Sequence, residues 1–189
     1  MLELLDAVGK QSNVSQRRLA SNMGIALGLA NSYLKRCIRK GFIKISEAPA
    51  NRYIYYLTPK GFSEKSRLTA KYLSSSFAFY RKAGDSCDRV FDECRSRGWK
   101  NLVLGGLSDL AEIASLRALD GEIEIIGTYD PHSERKRFVK KPVWQRIEDI
   151  FPHDGLMLTD LIATHLMHEH LLIYMPRERI LVPDILRLE

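Results

Sequence analysis

Two short helical stretches split at Gly24, two β-rich stretches after Gly41, and alternating strand-like and helical stretches from Asn101 onward predict a two-part chain. The fold class that follows is an α+β winged helix-turn-helix, then a small α/β Rossmann-like domain with a mainly parallel sheet. The predicted divisions are residues 1–57 for the winged helix-turn-helix, 58–99 for a helical linker and dimerisation region, and 100–189 for the Rossmann-like domain.

Composition supports the division. The chain has 189 residues, 45% hydrophobic and 28% charged, which is ordinary material for a folded core. The net charge of +6 hides an asymmetry. Residues 1–100 carry 19 Lys and Arg against 8 Asp and Glu, whereas residues 101–189 carry 10 against 15. Halves of opposite sign suggest different partners. No apolar run approaches the roughly 20 residues of a membrane helix, and no secretion signal is visible. Cys37, Cys87 and Cys94 form no CxxC pair and are odd in number. This argues against a disulfide framework or a zinc site, and fits a reducing cytoplasm.

The first element is a short amphipathic helix over residues 2–9, with Leu2, Leu5 and Val8 three apart. Ser15 is suited to cap the next helix, in which Leu19, Ala20 and Met23 face inward. Gly24 stands where a positive φ is wanted. A further helix starts near Ala26 or Leu27, with Ala30, Leu34, Cys37 and Ile38 on one face. The opposite arc carries Gly28, Leu29, Ser32, Lys35, Arg36 and Arg39, with Asn31 at the flank. No acidic residue occurs between Asp6 and Glu47, so this segment should meet a polyanion. The helix pair makes double-stranded DNA the expected one, with the exposed arc in the major groove.

Gly41 ends that helix. Phe42–Ile45 and Arg52–Leu57 read as two strands joined by a turn-rich SEAPAN loop, which makes a wing. Lys44 and Arg52 flank it and suit phosphates. Ser15, Gln16 and Arg17 are further candidates for positioning the DNA backbone. Thr58 and Pro59 suit the cap and first position of a long helix running to about Arg97, with an interruption expected at Gly84. A helix of that length implies a partner surface, and a homodimer is expected. Two helices folded back on their own domain are the alternative.

The wing followed by Leu57-Thr58-Pro59-Lys60-Gly61-Phe62-Ser63-Glu64-Lys65 resembles winged-helix regulators of the MarR type, especially the bacterial subgroup associated with exopolysaccharide gene clusters. The preceding SQRRLASNMGIALGLANSYLKRCIRKGFIKI is similar to that family's helix-turn-helix in register, over about residues 2–97. The resemblance implies operator binding as a dimer, with the second helix in the major groove. Two positions depart from the family pattern. Ala26 replaces the usual Ser or Thr cap, and Leu29 occupies an exposed position that is often basic or polar. Leu29 suits contact with a thymine methyl group.

From Asn101, LVLGG, EIEIIGTYD, GLMLTD and RILVPDI read as strands, and SDLAEIASLRAL and ATHLMHEHLLIYM as helices. The basic stretch SERKRFVKK reads as a loop, followed by a helical turn at WQRIEDI. The turn Gly106-Leu107-Ser108-Asp109-Leu110-Ala111 has G-x-G-x-x-G/A spacing with Ser108 in place of the second glycine. Asp130 lies 24 residues after Gly106, about where a ribose-binding acid falls. The stretch GLSDLAEIA is similar to the Rossmann-like nucleotide-binding part of sugar acetyltransferases and sugar-modifying enzymes. Gly106, Ser108, Asp109, Asp130 and Asp160 are therefore candidate contacts for a nucleotide or nucleotide sugar. A Ser108 side chain fills space a pyrophosphate would use, and Asp109 would repel a phosphate, so a shell used only for packing or assembly stays equally open.

His165, His168 and His170 form no HExxH order, and a solvated helix face is the expected reading. No nucleophile elbow, P-loop or paired-carboxylate motif is visible, so no catalytic residue, metal ligand or enzymatic activity is expected. The expectation is a dimeric DNA-binding transcriptional regulator whose second domain senses a small-molecule effector or mediates assembly. The alternative is a nucleotide-sugar-modifying enzyme or subunit whose winged helix serves protein interaction.

Overall fold

A computed structural model describes residues 1–10, 15–48, 52–119 and 121–188. The chain forms two units, residues 1–76 and 77–189, and the division falls inside one long helix.

The first unit opens with α1 (Leu2–Lys10), α2 (Gln16–Asn22) and α3 (Leu27–Arg39). The Ser15 hydroxyl accepts from the Arg18 N–H at 3.2 Å and caps α2. Gly24 has φ +59° and Gly41 has φ +72°, so each turns the chain where a Cβ would be strained. Ala26 gives α3 no side-chain cap, the departure expected from sequence. The apolar stripes meet in one core of Leu4, Leu5, Val8, Leu19, Leu34, Cys37, Phe42, Ile43 and Tyr55.

Strands β1 (Ile43–Ala48) and β2 (Arg52–Leu57) pair antiparallel as the wing. β1 runs past the expected end at Ile45, because Ser46 and Glu47 pair with Ile54 and Tyr53. Cross-strand pairing overrides the turn-like composition of SEAPAN. Helix α4 (Pro59–Ser96) follows without a break at Gly84. Its 38 residues span about 57 Å at 1.5 Å per residue. The Thr58 hydroxyl accepts from the Gly61 N–H at 3.0 Å and donates to the Gly41 carbonyl at 2.6 Å. One side chain thus caps α4 and ties it to the end of α3.

The second unit is built on β3 (Asn101–Gly105), α5 (Asp109–Ala118), β4 (Glu124–Tyr129), β5 (Arg137–Phe138), β6 (Lys141–Trp144), β7 (Gly155–Leu158), α6 (Thr164–Tyr174) and β8 (Ile180–Leu181). The sheet order is β5-β6-β4-β3-β7-β8, and every pairing is parallel except β5 with β6. The five parallel strands follow the 3-2-1-4-5 order of doubly wound α/β folds. Leu102 and Leu104 face a core shared with α5 and with Cys87, Phe91 and Cys94 of α4. Val103, Leu156 and Leu158 face the other way, against Met167 and Leu171 of α6.

Gly84 leaves room for Arg117, whose guanidinium a Cβ there would overlap. Arg117 reaches Asp88 at 3.4 Å. Part of the basic stretch expected as a loop is the β5–β6 hairpin. Its two-residue turn is Val139 (φ +44°) and Lys140 (φ +65°), without the Asn-Gly or Asp-Gly that signals such a turn in sequence. All three cysteines are fully buried. Burial pushes the Cys87 thiol up to about 12 and Cys94 to about 11, and raises Cys37 as well.

The Asp154 carboxylate accepts from the backbone N–H groups of Lys100 and Asn101 at 2.7 and 2.8 Å and joins the start of β3 to β7. These bonds lower its pKa. The carboxylate therefore stabilises the fold above its unfolded value, about pH 3.9, and that contribution is lost as pH falls through the lower folded value. Asp154→Asn is expected to flatten the acid limb of a melting-temperature profile between about pH 2 and 4. An unchanged limb would refute this role.

Candidate nucleic-acid interface

The interface is built on α3. Packing Ala30, Leu34 and Cys37 inward leaves Gly28, Leu29, Ser32, Lys35, Arg36 and Arg39 exposed on the other side. The N-terminal turn also exposes Leu27 and Leu29, by 43% and 45%, which gives it an apolar tip suited to base methyl groups. Asn31 is half-buried, and its shielded side-chain oxygen has no hydrogen-bond partner among the described residues.

The charges of this surface are available. Among the described residues none of Arg17, Arg18, Lys35, Arg36, Arg39 and Lys44 joins an ion pair. Lys40 and Lys60 sit over the Phe42 ring at 5.9 and 5.6 Å, adding two cations beside the end of α3. The sequence reading missed this pair, because only the fold brings Lys60 to Phe42. Arg17 and Lys44 are exposed, on α2 and on the wing. Gln16 is placed differently. Its amide donates to the Tyr55 hydroxyl at 2.9 Å, which fixes α2 to β2. Ser15 is exposed but spends its hydroxyl on the cap. The Arg52 side chain lies outside the described residues.

The other candidate residues converge at the carboxyl ends of β3, β4 and β7, the switch point where doubly wound sheets bind ligands. Most of their hydrogen bonds go to the neighbouring turns and strands. The Ser108 hydroxyl accepts from the N–H groups of Leu110 and Ala111 and donates to the Thr159 carbonyl at 2.6 Å. Asp130 accepts from the Leu107 N–H at 3.0 Å and from the His132 N–H at 3.0 Å. The Thr159 hydroxyl donates to the Gly106 carbonyl at 2.6 Å. Gly106 has φ +103°, and a Cβ there would meet the Asp160 backbone at 2.8 Å. Asp160 accepts from Ile162 and Ala163 and starts the turn into α6.

The Gly106, Leu107, Leu110 and Ala111 amides are thus occupied from within. The adjacent cavity of about 420 Å³ is lined by Asp109, Glu112 and Asp130 against Arg135, an excess of negative charge that opposes a pyrophosphate. Ser108→Ala removes the cap of α5, and a loss of roughly 0.5–2 kcal/mol in denaturant unfolding is expected. No loss would show the hydroxyl to be idle. On α6, His170 accepts from or donates to the Tyr129 hydroxyl at 2.7 Å and stacks on its ring. Among the described residues no three His, Cys, Asp or Glu side chains converge to hold a metal, and no helix is long and apolar enough to cross a membrane.

The first unit carries a winged helix-turn-helix DNA-binding domain. Residues 1–44 match the family model described as winged helix-turn-helix DNA-binding. No curated protein matches the chain. Among solved structures, the chain is similar to Streptococcus pneumoniae FabT in complex with DNA, at 20% identity and a TM-score of 0.35, over 61% of this chain and 64% of that one. It is also similar to PigF with SAH, at 14% identity and a TM-score of 0.25, over 96% of this chain and 53% of that one. The chain therefore spans less than two thirds of either structure.

Proposed function

We propose that the chain is a bacterial transcriptional regulator of the MarR type that binds operator DNA as a homodimer in the cytoplasm. The observation that carries this reading is the α3 surface: three exposed cations without ion-pair partners, an apolar tip, and a wing beside it. The dimer is supported by α4, which exposes Leu73, Phe77 and Tyr80 at helical spacing. The MarR assignment and a role near polysaccharide biosynthesis genes rest on the LTPKGFSEK resemblance. We read the α/β domain as a non-enzymatic part of the regulator. The self-bonded Gly106 turn favours assembly over nucleotide or nucleotide-sugar sensing.

The test is selection of bound fragments from the source genome, followed by gel-shift titration against a scrambled fragment. Retention of one fragment class at least roughly a thousandfold above scrambled DNA is the expected result. Equal affinity for both would sink the regulator reading. Turnover of a nucleotide sugar would favour the enzyme alternative.

A further inference from the structure

We propose that the β5–β6 hairpin is a second DNA contact, in which Arg135, Lys136, Arg137 and Lys140 hold the phosphate backbone of a duplex without reading its sequence. The inference rests on the DNA-binding reading of the winged unit, which supplies the polyanion. Charge in the α/β unit is segregated. Residues 101–189 carry 10 Lys and Arg against 15 Asp and Glu, yet five of those cations fall in the seven residues from Arg135 to Lys141, with no acid among them. That leaves five cations against 15 acids in the rest of the half. A surface charged only for solubility intersperses both signs.

Arg135, Lys136, Arg137 and Lys140 are exposed and join no ion pair among the described residues, whereas Lys141 is spent on Glu124 at 2.7 Å. The backbone beneath them is fixed. The Gln145 amide donates to the Arg135 carbonyl at 3.0 Å, and the Val143 N–H donates to the Lys136 carbonyl at 3.0 Å. Arg137 and Phe138 pair with Pro142 and Lys141, and Phe138 packs against the core. An extended strand rises about 3.4 Å per residue, so consecutive cations lie along a line. That shape fits a polymer of evenly spaced charges rather than a compact anion. The cavity that Arg135 borders is acidic and turns a small phosphate away. The hairpin exposes Val139 by 38% and keeps Phe138 inward, too little apolar surface to enter a lipid interface. Duplex DNA is the line of negative charge that α3 of the same chain is read as gripping, so one chain carries both contacts to it.

The test is fluorescence anisotropy of the full chain on a mixed-sequence duplex at several salt concentrations. Arg137→Gln with Lys140→Gln should lower affinity at least about tenfold at roughly 0.1 M salt, and make the slope of log affinity against log salt shallower by about 2. Arg177→Gln with Arg187→Gln removes the same charge from other exposed positions of the unit and should leave both quantities nearly unchanged. Arg137→Lys with Lys140→Arg keeps the charge and should bind as the wild type does. A hairpin pair no different from the Arg177 and Arg187 pair would overturn the proposal. So would a hairpin pair that keeps its DNA affinity but loses binding to polyglutamate, which would assign the surface to an acidic protein. Lys35→Ala with Arg36→Ala, measured alongside, separates the two readings. A slope lost there and kept in the hairpin pair overturns this inference alone, and the reverse overturns the α3 interface alone. A wild-type chain that binds no DNA overturns both.

Discussion

A chain carrying Lys35→Ala and Arg36→Ala is expected to lose most of its affinity for cognate DNA while melting at the wild-type temperature. Both side chains are exposed on α3 and make no ion pair among the described residues, so the fold does not depend on them. Alanine is at least as good a helix former as lysine or arginine. Each phosphate-neutralising cation contributes close to one unit of the slope of log affinity against log salt, so the double variant should be shallower by about 2. A cation reading a base edge contributes roughly a further 1–3 kcal/mol. Fluorescence anisotropy at several salt concentrations measures both quantities. An unchanged slope would place the DNA on another face.

Gly61→Ala is expected to destabilise the winged unit by at least about 2 kcal/mol, high in the range for overpacking. A Cβ at Gly61 would overlap the Phe42 carbonyl oxygen, lie 2.9 Å from its carbon and crowd Leu57. The Leu57 contact is a side-chain methyl that can shift, but the Phe42 atoms are backbone, so relief requires moving either the chain at Phe42, just before β1, or the first turn of α4. The Phe42 carbonyl also accepts from the Thr58 N–H at 3.0 Å, and that bond would be strained with it. Denaturant unfolding followed by circular dichroism reads the loss. A wild-type midpoint would show that the joint yields cheaply.

What could be read from sequence follows from which interactions are local. The inward face of α3 was legible because Ala30, Leu34 and Cys37 repeat at the helical period, and that period also fixes the exposed arc. Ser15, Gly24 and Thr58 were legible because caps and positive-φ turns are short-range chemistry. The end of β1 was not, because Ser46 and Glu47 are held by partners on β2 that outweigh their turn propensity. The β5–β6 hairpin was hidden because its turn uses Val139 and Lys140, residues that rarely take positive φ.

At the candidate ligand turn, the missing second glycine could be seen in sequence, but the use of Ser108 could not. Its hydroxyl bonds Thr159, 51 residues away. The role of Gly61 belongs to the same class. In sequence it is one letter of a family-like motif, and in the fold it is the space into which a carbonyl fits.

The burial of the three thiols limits their chemistry. Oxidants and electrophiles attack the thiolate, and at neutral pH thiols raised to about 12 and about 11 hold almost none of it. Cys37 is raised too and lies on the buried face of α3, with no exposed surface. Peroxide or a thiol-seeking metal therefore finds no handle on the folded protein at these positions. In the proposed regulator, a signal that weakens DNA binding would therefore act through packing or charge rather than through these thiols.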